Sequence, residues 1–240
     1  MCMAVYNGTE YLREQVDSIL TQLRSGDELI AVDDCSQDGS ASLLQGIGDP
    51  RLRLQRNPSN LGVVKTFERA LRLSSGDIIF LSDQDDIWLP GKLPVALEIY
   101  ASEPGVTMVV TDAVIIDEKG KITEGSFFAR RGRFAPGPMH NFLRNKYLGC
   151  TLSFRRKMLE VFLPIPNDVP MHDIWFGILN GIYGRTRFVD ESLVAYRRHG
   201  RNATSRVPFS SGLRNVVLSR YRLAKNVARR MIQHAATVSK

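Results

Sequence analysis

No stretch of this sequence reaches the roughly 18 consecutive apolar residues that a bilayer-spanning helix needs. No basic-then-apolar segment opens the chain, so a cleaved leader is not expected. Cysteine is scarce: Cys2, Cys35 and Cys150 lie far apart and form no Cys-x-x-Cys pair, which argues against a disulfide framework and a zinc knuckle and fits a reducing compartment. Low-complexity tracts and repeats of solenoid period are missing too. Acidic residues run out late, for none follows Glu191, while eleven Lys or Arg lie between Arg197 and Lys240. The formal net charge of +7 therefore hides a slightly acidic body joined to a basic tail. Such a tail either meets an anionic partner, a phospholipid or a lipid-linked diphosphate, or is a solvated helix face. Nucleic acid is not expected, because no recognised nucleic-acid module accompanies it.

The 240 residues, 43% hydrophobic and 24% charged, suffice for one α/β domain, alone or with an appendage. Residues 2–6 read as a strand ending at the Asn7-Gly8 turn signal. Leu12, Val16, Ile19, Leu20 and Leu23 then fall at helical spacing, closed by Gly26. Residues 28–32 form a second strand ending in Asp33-Asp34, followed by a short helix over 41–45. A third strand at 52–55 leads through Asn60-Leu61-Gly62 into a helix carrying Val64, Phe67, Ala70 and Leu71. A fourth strand, 77–82, precedes Asp83-Gln84-Asp85-Asp86.

Strands alternating with helices predict a parallel sheet with helices on both faces and ligands at the carboxyl ends of the strands. Asn7, Asp33, Asp34 and Asp83 fall at such ends. The second half is less regular: strands are expected at 106–112, 114–117 and 150–154, a loop at 132–138, and helices at 139–145 and 173–183. From Leu213 on, Val217, Tyr221, Ala224, Val227 and Met231 recur every three or four residues among Arg and Lys. That amphipathic helix either packs its stripe on the body or lies in a lipid interface.

Asp83, Asp85 and Asp86 crowd three carboxylates where an apolar strand ends, an arrangement that needs a cation or donors to neutralise it. Their oxygens suit Mg²⁺ or Mn²⁺ completed by a substrate phosphate, a helix-capping loop being the alternative. Asp33-Asp34 is either a capped turn or a carboxylate that accepts hydrogen bonds from a nucleoside.

Tyr6-Asn7-Gly8, Val32-Asp33-Asp34-Cys35-Ser36-Gln37-Asp38-Gly39-Ser40, Asn60-Leu61-Gly62, Ser82-Asp83-Gln84-Asp85-Asp86-Ile87-Trp88, Met171-His172-Asp173-Ile174-Trp175 and Tyr196-Arg197-Arg198-His199-Gly200 resemble, in order and spacing, family 2 glycosyltransferases of the GT-A fold. Their collinear set, spanning about residues 3–200, is specific where each motif alone is weak. The Asp-Gln-Asp-Asp-Ile-Trp and His-Asp-x-Trp variants look most like the bacterial rhamnosyltransferases of that family.

This resemblance implies a Rossmann-like nucleotide-sugar half over residues 1–112, an acceptor-side half over 113–205 and a basic amphipathic helix over 206–240. It implies inverting transfer of a sugar, L-rhamnose from its thymidine diphosphate ahead of uridine diphosphate hexoses, to a saccharide or lipid-linked acceptor in cell-surface polysaccharide synthesis. The expected place is the cytoplasm, with the basic helix touching the inner face of a membrane.

In that frame Tyr6, Asn7, Asp34, Asn60, Gly62 and Asp83 contact the nucleotide, Asp34 near the base and Asp83 near the ribose. Asp85 ligates Mg²⁺ or Mn²⁺. Arg197 and Arg198 add positive charge toward the leaving diphosphate, and His199 adds charge or a metal contact. Asp173 is the expected base, although His172 stands where most of the family has Glu. Lys65 either approaches the nucleotide or is solvated; Lys92, Trp88 and Trp175 stay open between site and core. The family's first strand usually begins several residues earlier, which leaves open a native start upstream of Met1 or a shortened first strand. Two alternatives remain: an aspartate-nucleophile phosphatase or phosphomutase, and a catalytically silent nucleotide-sugar-binding or membrane scaffold.

Overall fold

Alternating side chains set the layers of the first half. In β1 (Cys2–Val5) and β2 (Leu29–Asp33) successive residues point to opposite faces, so Cys2, Ile30 and Val32 enter one core layer while Met3, Val5, Leu29 and Ala31 enter the other. Burial on both faces is what a parallel strand between two helix layers requires. α1 (Thr9–Leu20) covers the second layer with Leu12, Val16 and Ile19. After the short α2 (Ser40–Gln45), α3 (Val63–Leu73) covers the first with Phe67, Ala70 and Leu71. The structure, a computed structural model, describes residues 1–131, 137–143, 147–202 and 213–238.

β3 (Leu52–Arg56), β2, β1 and β4 (Ile78–Asp83) lie side by side and parallel. The sheet then becomes mixed. β8 (Leu152–Arg155) runs antiparallel between β4 and β6 (Met108–Ile116), β6 pairs parallel with β9 (Thr186–Arg197), and β9 meets β5 (Ile87–Trp88) antiparallel. β7 (Ile122–Glu124) attaches to β6. α4 (Lys92–Ser102), α5 (Phe127–Arg131), α6 (Pro138–Leu143), α7 (Leu159–Phe162) and α8 (His172–Tyr183) complete the body. This is the α/β architecture expected, with a parallel first half and a mixed second half.

Several elements differ from the sequence expectation. β6 is one strand rather than two: its register against β9 shifts around Asp112, and that irregularity, not a turn, interrupts the alternation. β9 escaped notice because Asp190 and Glu191 break the apolar pattern before the buried Leu193, Val194 and Ala195. α4 was hidden by Pro94, which the first turn of a helix accommodates without losing a hydrogen bond. The loop expected at 132–138 and the end of the helix expected at 139–145 fall mainly outside the described residues.

α9 (Leu213–Val238) keeps most of the expected stripe off the body, against the first of the two alternatives. Val217, Tyr221, Ala224 and Met231 are exposed, and the helix instead faces the body with Leu223, part-buried Val227 and Arg230. Arg230 donates to the carbonyls of Val161, Leu163 and Pro164 at 2.5, 2.8 and 2.6 Å, binding the orphan end of α7 to α9. No helix among the described residues is long and apolar enough to cross a membrane.

Candidate active site

Where β1, β2 and β4 end, three loops meet over a cavity of about 280 Å³. Tyr6, Asp34, Asn60, Gly62, Asp83, Asp85 and Asp173 line it, so most of the sequence candidates converge. Asn7 adopts a left-handed φ of 50° and ties two loops together, its N–H donating to Ser36 Oγ at 2.9 Å and its Oδ1 accepting from Gln37 N at 2.9 Å. It lines an adjoining cavity of about 360 Å³ that shares Tyr6, Gln84 and Arg201 with the first.

Asp34 is buried and shapes the cavity wall. Its carboxylate accepts from Asn57 Nδ2 at 2.7 Å, Leu61 N at 2.8 Å and Gly62 N at 2.9 Å, holding the chain that enters α3. Gly62 makes that entry at φ 83°, a conformation glycine adopts without strain. Asp33 lies outside the cavity and pairs with Arg56 at 3.1 Å.

The loop after β4 divides its carboxylates between depth and rim. Asp86 is fully buried and accepts from Arg197 N at 3.0 Å. Its pKa is pushed up to about 7, first by burial and then by the charge of Asp85. Asp83 is also raised, by burial foremost and then by Asp86, Asp85 and Asp173. Asp173, across the cavity, thus belongs to the same electrostatic cluster.

Asp85 reaches the rim, where its Oδ2 receives His199 Nε2 at 2.8 Å and Asn202 Nδ2 at 3.2 Å. Because His199 Nδ1 accepts the Arg201 backbone N–H at 3.1 Å, the ring proton is assigned to Nε2 and points at Asp85. His199 therefore acts here as a donor that orients Asp85; to ligate a metal through Nε2 it would have to surrender that proton.

A buried lysine lies beneath the carboxylates. Lys92 Nζ donates to the carbonyl of Cys150 and sits 4.6 Å from the centre of the Trp88 ring. Burial lowers its pKa to about 8, and the charges of Asp86 and Asp83 oppose that shift. The neighbouring Cys150 thiol is raised by burial, and ligand atoms of Asp83, Asp86 and Cys150 lie within 4.8 Å of one another. A neutral thiol is a poor partner for a hard cation, so oxygen donors alone fit Mg²⁺ or Mn²⁺.

Gln84, between the aspartates, was missed by the sequence reading. Its amide donates to Tyr6 O at 3.0 Å and accepts from Tyr6 N at 2.7 Å, joining the ends of β1 and β4. The loops approach so closely that a Cβ on Gly8 would lie 2.5 Å from Gln84 Cδ.

Asp173, in the first turn of α8, accepts from Ile174 N at 2.6 Å and is 8% exposed. His172 lines the cavity beside it, packed 4.2 Å from Phe67, and burial lowers its pKa to about 3. The imidazole is therefore neutral at ordinary pH.

Three expected contacts are not brought to the cavity. Lys65 bonds to Glu68 at 2.8 Å and to the Ile165 carbonyl at 2.7 Å, because the buried Glu68 offers it a closer anion. Arg197 is buried beneath the rim, donating to Glu14 at 2.7 Å and to the Asp85 carbonyl at 2.9 Å; its charge supports the loop from behind. Arg198 is exposed and lines neither cavity. Trp88 and Trp175 are core residues, the latter donating to Phe162 O at 2.8 Å.

The model of the family described as Glycosyl transferase family 2 matches residues 1–162. A glycosyltransferase of Nostoc sp. is 26% identical over 208 residues, 82% of this chain and 63% of the relative. The Escherichia coli protein WfgD, a UDP-Glc:α-D-GlcNAc-diphosphoundecaprenol β-1,3-glucosyltransferase, is 26% identical over 179 residues, 74% of this chain and 68% of its own. Among solved structures, S. aureus TarS 1-349 in complex with UDP-GlcNAc superposes with a TM-score of 0.71 at 16% identity, covering 96% of this chain and 65% of that one. The mannosyltransferase PcManGT of Pyrobaculum calidifontis, in complex with GDP-Man and Mn²⁺, gives 0.60 at 23% identity, covering 82% and 55%. These two likenesses concern the fold. The chain spans less than two thirds of the Nostoc relative and of both solved structures.

Proposed function

The chain belongs to glycosyl transferase family 2, and from that premise we propose that it transfers a sugar, with inversion, from a nucleoside diphosphate donor to a saccharide or lipid-linked acceptor in cell-surface polysaccharide synthesis. The observation that carries this proposal is that Asp83 and Asp85, leaving β4, line one cavity with Asp34 and with Asp173 at the start of α8. L-rhamnose from thymidine diphosphate rhamnose is the first donor to test, on the strength of the Asp-Gln-Asp-Asp-Ile-Trp and His-Asp-x-Trp motifs. The proposed setting is the cytoplasmic face of a membrane, which the basic α9 would touch.

The donor set fits a divalent cation: Asp85 offers a carboxylate at the rim, and burial foremost, with mutual repulsion second, lifts Asp83 and Asp86 toward protonation. Asp85 would hold Mg²⁺ or Mn²⁺, which when bound neutralises the negative charge gathering on the departing diphosphate. Asp83 faces the ribose, and the loop anchored by Asp34 closes on the base. Tyr6 and Gln84 fix the wall between the two cavities.

On the other side Asp173 accepts the proton of the acceptor hydroxyl as its oxygen attacks the anomeric carbon, and the bond to the diphosphate oxygen breaks. Neutral His172 adds no positive charge beside that base.

Asp85→Ala is expected to abolish metal-dependent donor turnover, and Asp173→Ala to leave donor affinity within about threefold while reducing transfer by at least about 10³. A fully active Asp173→Ala variant removes the proposed base. Release of inorganic phosphate from donor without any sugar acceptor, undiminished by added acceptors, points instead to a phosphatase.

A further inference from the structure

Val217, Tyr221, Ala224, Ala228 and Met231 follow one another on α9 at intervals of four and three, and all are exposed. With Ile232 they form an apolar ridge of about 22 Å at 1.5 Å rise per residue. Tyr221 and Ile232 are 64% and 72% exposed, so the ridge is not shared with the body. The body takes another side of the helix, through Leu223, Val227, Arg230 and His234; Asn226 donates to Asp168 at 2.6 Å, and the His234 ring lies 4.8 Å from that of Tyr183. α9 thus has a packing face already satisfied and a second apolar face that is not.

Charge decides what can cover that second face. α9 contains no Asp or Glu, and exposed Arg222, Lys225 and Arg229 flank the ridge. A second copy of the helix laid against the ridge would bring like charges together, whereas an anionic surface would meet them favourably. An apolar strip bordered by cations, carrying a Tyr whose hydroxyl can stay wet, is the build of a helix lying in a membrane interface.

We propose that this ridge of α9 inserts among the headgroups of an anionic phospholipid membrane, with Arg222, Lys225 and Arg229 on the lipid phosphates and the body held on the helix's other side. The proposal deepens the membrane contact named under the proposed function but rests on α9 alone.

Co-sedimentation of the full chain with vesicles of phosphatidylcholine, and of phosphatidylcholine mixed with phosphatidylglycerol, tests it. Binding to the anionic vesicles is expected to exceed binding to the neutral ones by at least about tenfold and to fall as salt rises. The double variant Tyr221→Asp, Met231→Asp, exposed at both positions, is expected to lose binding by a similar factor while keeping its melting temperature. Equal partition to both vesicles overturns the proposal, and so does undiminished binding by the double variant. Self-association of the wild type that the double variant abolishes overturns it in favour of a second copy. Vesicle binding without any sugar transfer would leave this proposal standing and remove the transferase reading.

Discussion

Lys92 puts a positive charge where water does not reach, under carboxylates that repel one another. Removing one partner of a buried charge cluster typically costs about 3–5 kcal/mol, because the remaining charges lose their compensation. Lys92→Met is therefore expected to lower the melting temperature strongly. It should also enlarge the stabilisation gained from Mn²⁺, since an added cation then does work that Lys92 did before. Equal Mn²⁺ shifts in variant and wild type, read by calorimetry, would dissociate Lys92 from the acidic cluster.

His172 makes a separate prediction with a definite sign. Its folded pKa of about 3 lies below the ordinary 6.5, so between those values the unfolded chain takes up a proton that the folded one refuses. Stability is thus lost as pH falls from about 6.5 toward about 3. His172→Phe should flatten that limb of the denaturation free energy against pH relative to wild type. Parallel limbs for the two proteins would mean that His172 charges freely in the native state.

At this scale the sequence was readable where chemistry is local. Asp34, Asp83 and Asp85 follow apolar strands directly, and Asp173 sits at a helix start beside a motif. Lys92 and Gln84 owe their roles to partners 58 and 78 residues away, a separation no motif encodes. Lys65 and Arg197 show the reverse failure: their charge was legible, but its direction depended on Glu68, one turn along the same helix, and on Glu14, which the fold brings near.

Among elements, periodicity located α9 and its apolar stripe but left open whether the body or a lipid surface meets that stripe. An apolar stripe states that a helix has a surface to cover without stating what covers it, and the docked face joins Leu223 and Val227 to an arginine bonded to three carbonyls. Arg230→Met removes hydrogen bonds from a charged group, each contributing about 1.5–3 kcal/mol. Amide exchange in the central turns of α9 is expected to accelerate by about 10- to 100-fold, while β1 and β2 exchange as before. Unchanged exchange in α9 would show that Leu223 and Val227 suffice to dock it. β9 teaches the complementary lesson: its buried end and exposed middle satisfy no single alternation, yet its register shift against β6 carries the 197–202 loop to Asp85.

Across the whole molecule, the cavity takes one wall from the parallel half, through Asp34, Gly62 and Asp83, and another from the mixed half, through Gly149, Met171 and Asp173. A ligand filling it would tie both halves together, and whatever binds only the native state stabilises that state by mass action. Donor at about 100 times its dissociation constant should add about 2.7 kcal/mol, or about 5–10 °C in melting temperature for a chain of this length. If Asp85 couples the metal to the diphosphate, Mn²⁺ must tighten the donor by the same factor by which the donor tightens Mn²⁺. Chelation, or Asp85→Ala, should then remove most of the donor's shift, while Asp173→Ala should keep it. A donor shift indifferent to chelator would leave the nucleotide site in place and take the metal out of donor binding.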